Sequence, residues 1–70
     1  TFFEPVVVMD LIKTVPLSEK PNDETRIEVQ RNKKLVSDWK YNSKLNSIDF
    51  TTTQKEDDVI DIMYYIEEKE

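Results

Sequence analysis

Thr53-Gln54-Lys55-Glu56-Asp57-Asp58-Val59-Ile60-Asp61-Ile62-Met63-Tyr64-Tyr65-Ile66 is the stretch on which the fold turns, because it satisfies two periodicities at once. At helical spacing, Val59, Ile62, Met63 and Ile66 make one apolar stripe, widened by Ile60 and Tyr64. Thr53 and Glu56 have the S/T-x-x-E spacing in which a hydroxyl and a carboxylate satisfy the first free amides of a helix. Glu56, Asp57 and Asp58 would then occupy the first turn, where the helix dipole favours negative charge. At period two, by contrast, Ile60, Ile62, Tyr64 and Ile66 share one strand face, with high β-propensity. The capping box decides for the helix, and the spacing predicts it over residues 54–68, held by Thr53.

Working back from there, Ile48 and Phe50 alternate with Ser47, Asp49 and Thr51, which reads as a strand over Asn46 to Thr52. Asn42-Ser43-Lys44 punctuates before it. From Leu35 to Tyr41, a strand would place Leu35, Ser37, Trp39 and Tyr41 on one face and Val36, Asp38 and Lys40 on the other. A short helix is the rival over Lys33 to Tyr41, since Leu35 and Trp39 are four apart. Asn32-Lys33-Lys34 offers a turn in which Asn tolerates a left-handed backbone. Ahead of it, Arg26 to Arg31 alternates so that Ile27 and Val29 share a face. Ser18 to Thr25, with Asn22-Asp23, reads as a loop. Pro5 and Pro16 bracket Val6-Val7-Val8-Met9-Asp10-Leu11-Ile12, a β-branched stretch apolar but for Asp10 that reads as a buried strand.

The predicted architecture is therefore α+β: a small antiparallel sheet of three or four strands, with a carboxy-terminal amphipathic helix across one face. Residues 1–70 read as one small domain, and the Thr at position 1 suggests a chain processed or excised from a longer one. The expected core joins Ile27, Val29, Leu35, Trp39, Ile48, Phe50, Val59, Ile62, Met63 and Ile66 to the Val6 to Ile12 strand.

With no Cys, His or Gly among 70 residues, the sequence lacks disulfides, thiol nucleophiles, imidazole bases, Cys/His zinc sites and glycine-cradled phosphates. The longest run of purely aliphatic or methionine residues, Val6 to Met9, is four residues, against roughly 20 for a membrane-spanning helix, so no membrane segment is expected. Thr-Phe-Phe-Glu-Pro does not read as a secretory signal. The lack of cysteine leans toward a reducing interior and an intracellular location, cytoplasmic or within a host cell. Alanine is also absent, while Lys, Asn, Ile, Phe, Tyr and Met together are frequent. AT-rich coding imposes such a bias, and it points to a phage, virus or low-GC host.

Charge separates the candidate functions. The net charge of −5 divides into −3 over residues 1–25, +4 over 26–45 and −6 over 46–70. The first candidate is a non-catalytic protein-binding module, in the form of a phage or viral inhibitor of a host protein. Its acidic helix surface of Asp57, Asp58, Asp61, Glu67 and Glu68, with Tyr65 beside it, would meet a basic partner. The alternative is nucleic-acid binding through Arg31, Lys33, Lys34, Lys40 and Tyr41, with Trp39 as a stacking ring. A third class, a catalytic fragment using paired carboxylates, finds no pocket in the sequence to split their pKa values. Glu56, Asp57, Asp58 and Asp61 are oxygen ligands of the kind Ca²⁺ or Mg²⁺ takes, but the spacing is not that of an EF-hand. No metal or other cofactor is expected.

Overall fold

Ile60, Ile62 and Tyr64 are completely buried while Val59 and Met63 stay half-exposed, so the period-two reading of the decisive stretch prevails over the helical one. The computed structural model describes residues 1–67, which form seven strands and no helix. These are β1 (Phe2–Val7), β2 (Ile12–Pro16), β3 (Glu28–Arg31), β4 (Lys34–Leu35), β5 (Trp39–Asn42), β6 (Ser47–Gln54) and β7 (Val59–Tyr64). The α+β expectation is thus corrected to all-β. Thr53, the expected helix cap, is an exposed residue inside β6, and the acids after it make the turn into β7. Tertiary context overrides the capping signal here: β7 is hydrogen-bonded on both sides, to β1 and to β3, so every residue of this β-branched run gains ladder bonds a lone helix would have to replace.

Two antiparallel sheets result, one ordered β1-β7-β3-β4 and the other β2-β6-β5. Register in the first pairs Phe3 with Met63, Pro5 with Asp61 and Val7 with Val59, and sets Glu28 and Gln30 on the far side of Met63 and Asp61. In the second, Trp39 pairs with Phe50 and Tyr41 with Ile48. One apolar cluster lies between the sheets: Val29, Ile60, Ile62 and Tyr64 from one, Val15, Ile48 and Phe50 from the other, closed by Val8, Leu17 and Ile27. Trp39, Tyr41 and Ile66 pack against it part-buried. Leu35, placed in the core from sequence, is instead 68% exposed. The alternation assumed across Leu35 to Tyr41 breaks at Val36–Asp38, where the chain leaves one sheet for the other. Val6 to Ile12 is likewise two strands and a crossing rather than one: β1 ends at Val7 and β2 begins at Ile12. Pro5 and Pro16 sit inside β1 and β2, which both lie at sheet edges, the position in a sheet where a missing N–H is tolerated.

A chain with no glycine must build its tight turns from other residues, and four of them take positive φ: Asn32 (52°), Lys33 (72°), Asn46 (51°) and Asp57 (72°). Asn32 and Lys33 form the two-residue β3–β4 hairpin, where positive φ at both positions matches the right-handed twist of the strands. Side chains secure all three turns. Asn32 accepts from the Val59 N–H at 2.9 Å and donates to Asp58 at 3.0 Å, while Asn46 accepts from Tyr41 at 2.7 Å and donates to the Glu19 carbonyl at 2.9 Å. Asp58 fastens the third turn by accepting from the Lys55 N–H at 3.0 Å, so its carboxylate caps a turn rather than a helix.

Candidate interaction surface

Because Ile60, Ile62 and Tyr64 point into the core, strand alternation sends Val59, Asp61 and Met63 to the opposite side of the four-stranded sheet. Through the register, Phe3, Pro5 and Val7 of β1, Glu28 and Gln30 of β3, and Leu35 of β4 share that outer face. Its apolar members remain in contact with solvent: Phe3 is 52%, Val7 56% and Leu35 68% exposed. No helix packs over it among the described residues. At its centre the Asp61 side chain is only 6% exposed, and its Oδ2 receives the Lys33 ammonium at 3.5 Å from a lysine that is itself 80% exposed. The acid is thus shaded by its strand neighbours and held by one cation from the hairpin.

Beyond the end of β7, the Arg26 guanidinium stacks over the Tyr65 ring at 4.2 Å and donates to its hydroxyl at 3.2 Å. There the surface falls into an open concavity of about 350 Å³ whose lining includes Thr1, Arg26, Glu28, Met63 and Tyr65. At the other end, Asp57 stands exposed in the β6–β7 turn, its backbone N–H bonded to the Val8 carbonyl at 2.9 Å.

Of the residues expected together on one helix surface, the structure brings Asp61 onto the outer sheet face and sets Asp57 at one end of it and Tyr65 at the other. Asp58 is withdrawn into its turn, where hydrogen bonds from the Lys55 backbone and Asn32 hold its carboxyl below the usual carboxylate range. Glu67 is exposed past the end of β7, and Glu68 lies outside the described residues. Among the described residues these acids form no continuous surface, because the segment expected to align them as a helix is a strand with a turn.

The basic set is dispersed more thoroughly. Arg31 turns inward, bonded to Asp38 at 2.8 Å and to the buried Gln54 at 2.7 Å, with its guanidinium 5.7 Å above the Phe50 ring. That guanidinium is the main reason Asp38 titrates below the ordinary range. Lys33 is engaged by Asp61. Tyr41 donates to Asn46, and burial is the main cause of its raised pKa, while Trp39 donates to the Val36 carbonyl at 2.9 Å. Lys34 and Lys40 are exposed, but on strands of different sheets. These cations and rings do not share a platform.

Sequence reasoning missed Val7 and Leu35 as surface residues and left Phe3 unplaced, open between an exposed partner anchor and packing at the sheet's end. A usable signal was present: Phe2-Phe3 and Val6-Val7-Val8 are apolar at both parities, which marks a strand with two apolar faces, only one of which a single sheet-to-sheet core can bury. Among the described residues, no three metal-ligating side chains cluster, and no helix is long and apolar enough to cross a membrane. Comparison with protein-family models, with curated proteins and with solved structures finds no match to this chain.

Proposed function

We propose that this chain is a non-catalytic protein-binding module. The observation that carries the reading is the outer face of the four-stranded sheet, where Phe3, Val7 and Leu35 lie more than half exposed around an ion-paired aspartate. A surface that gathers apolar side chains on one side of a rigid sheet, with polar residues between and around them, has the makeup of an association site. The net charge of −5 favours a basic partner, through steering of the encounter rather than through a single acidic patch. Residue usage of the AT-rich kind favours a phage or viral regulator of a host protein as its biological form.

Affinity capture from a lysate of the source or its host, with the wild-type chain and the Phe3→Ser and Leu35→Ser variants side by side, tests the reading. The expected result is one protein retained by the wild type and lost from both variants, at unchanged unfolding midpoints. A parallel anisotropy titration with a mixed-sequence oligonucleotide at about 50 mM salt, where electrostatic binding is exaggerated, should show no micromolar binding. Tight oligonucleotide binding, or no retained protein, would overturn the proposal.

A further inference from the structure

We propose that the outer face of the four-stranded sheet receives a basic amphipathic helix of the partner, its apolar side covering Phe3, Val7, Met63 and Leu35. This rests on the reading of the chain as a protein-binding module and names the form its ligand takes. Three observations converge on that occupant.

The first is size. Four strands about 4.8 Å apart, two of them six residues long, one four and one two, at about 3.4 Å per residue give a face of roughly 300 Å². A stable interface between two globular proteins takes about 800 Å² from each, so a second copy laid on this face would be held weakly. A helix is about 10 Å across and rises about 1.5 Å per residue, so roughly 13 residues span the same strip.

The second is the state of the sheet edge. Val8 donates its N–H to Asp58 at 2.9 Å, so by strand alternation the even residues of β1 bond to β7 while Phe3, Pro5 and Val7 turn their backbones to the free edge. Pro5 has no N–H to offer there, and the opposite edge, β4, is two residues long. Strand addition is thereby discouraged at both edges, and the face rather than an edge is left for recognition.

The third is charge. Two cations beside this face are engaged, Lys33 with Asp61 and Arg26 with the Tyr65 ring. Glu28, in register beside Met63, and Asp57, at the far end, have no side-chain partner among the described residues. Lys34 pairs with the inward-turned Arg31, so alternation places it off the outer face. Unengaged acids at both ends of an apolar strip complement a helix with cations near both of its ends.

The test uses a fluorescent, end-blocked peptide of about 14 residues, with Leu at helical spacing and Lys on the remaining positions. Two controls accompany it: one with the same composition scrambled out of helical period, one with every Lys replaced by Glu. Anisotropy should give micromolar affinity for the first peptide alone, weakened about tenfold or more by Phe3→Ser, by Leu35→Ser and by Glu28→Lys. Amide shifts on ¹⁵N-labelled protein should concentrate in β1 and β7. Equal binding of the scrambled peptide, shifts confined to the β2-β6-β5 sheet, or concentration-dependent dimerisation of the free chain through this face would each overturn the inference. The lysate capture separates the two failures: a retained protein indifferent to Phe3, Leu35 and Glu28 substitutions sinks the helix-binding face and leaves a binding module that works elsewhere.

Discussion

Raising the pH should destabilise this protein through one hydroxyl. Tyr64 is fully buried, donates to Glu4 Oε1 at 2.7 Å, accepts from the Glu19 N–H at 3.2 Å and lies 5.3 Å from the Phe2 ring. Burial, reinforced by the Glu4 carboxylate, pushes its pKa up to about 12. An unfolded tyrosine titrates near 10, so the folded state holds the proton more tightly. The stabilisation is fully present below pH 10 and is lost as pH rises through the folded value. Two pH units correspond to about 2.7 kcal/mol, of which roughly half is gone at pH 11. In the Tyr64→Phe variant the ring stacking remains and the charge-assisted hydrogen bond goes, costing about 1.5–3 kcal/mol at neutral pH. Urea titrations followed by Trp39 fluorescence, wild type and variant in parallel at pH 7 and pH 11, cancel the lysines and other tyrosines common to both. The stability gap between the two proteins should shrink by about 1.4 kcal/mol over that interval. Parallel curves for the two proteins would refute the assignment of the alkaline transition to Tyr64.

Arg31→Ala removes the Asp38 ion pair, the bond to the buried Gln54 amide oxygen and the cation above Phe50 together, and should cost about 2–4 kcal/mol by urea denaturation. Asp57→Gly should stabilise by about 0.5–1 kcal/mol, because residue 57 has φ of 72° and, unlike Asn32 and Asn46, its side chain makes no hydrogen bond among the described residues. Asp38 and Asp49 both titrate below the ordinary 3.8, chiefly through Arg31 for the first and Asn42 and Ser47 for the second. Their contribution is present above that value and lost as pH falls through the lowered ones, so acid unfolding should begin near pH 4 and be blunted in an Asp49→Asn variant, as read by circular dichroism.

The strands legible in the sequence are those with one polar and one apolar face. Ile27 and Val29 before the β3–β4 hairpin, and Ile48 and Phe50 in β6, alternate with charged or hydroxyl residues, and all four are buried as alternation requires. The carboxy-terminal stretch misled because both of its faces are apolar. Val59, Ile62, Met63 and Ile66 satisfy a helix as well as Ile60, Ile62 and Tyr64 satisfy a strand, and the local tie-breaker, Thr53 with Glu56, pointed the wrong way. What decides is non-local: β1 and β3, more than fifty and about thirty or more positions away at the paired residues, supply ladder partners on both sides. Turn positions were half legible. Asn32 and Asn46 belong to a residue type that enters the left-handed region readily, whereas Lys33 takes φ of 72° with no local signal.

The candidate surface follows from that same ambiguity. A strand apolar on both faces must meet two partners, and a two-sheet fold supplies only one, the core between the sheets. In β1, the Phe2, Glu4 and Val6 positions turn inward and are half-buried, with Glu4 taken up by Tyr64 and Ser18, while Phe3, Pro5 and Val7 face out. Facing them, β7 adds Val59 and Met63 on either side of an aspartate that would be costly to bury unpaired. Replacing Asp61 by an apolar residue would make the strip uniformly sticky, and a like-for-like face would then pair with any other. The shaded carboxylate, held by the exposed Lys33, instead interrupts the apolar strip at its centre. Sequence alone offered every residue of this arrangement but placed Asp61 on a helix surface and Val59, Met63 and Leu35 in the core. Only the register of β1, β7, β3 and β4 turns those separate positions into one surface.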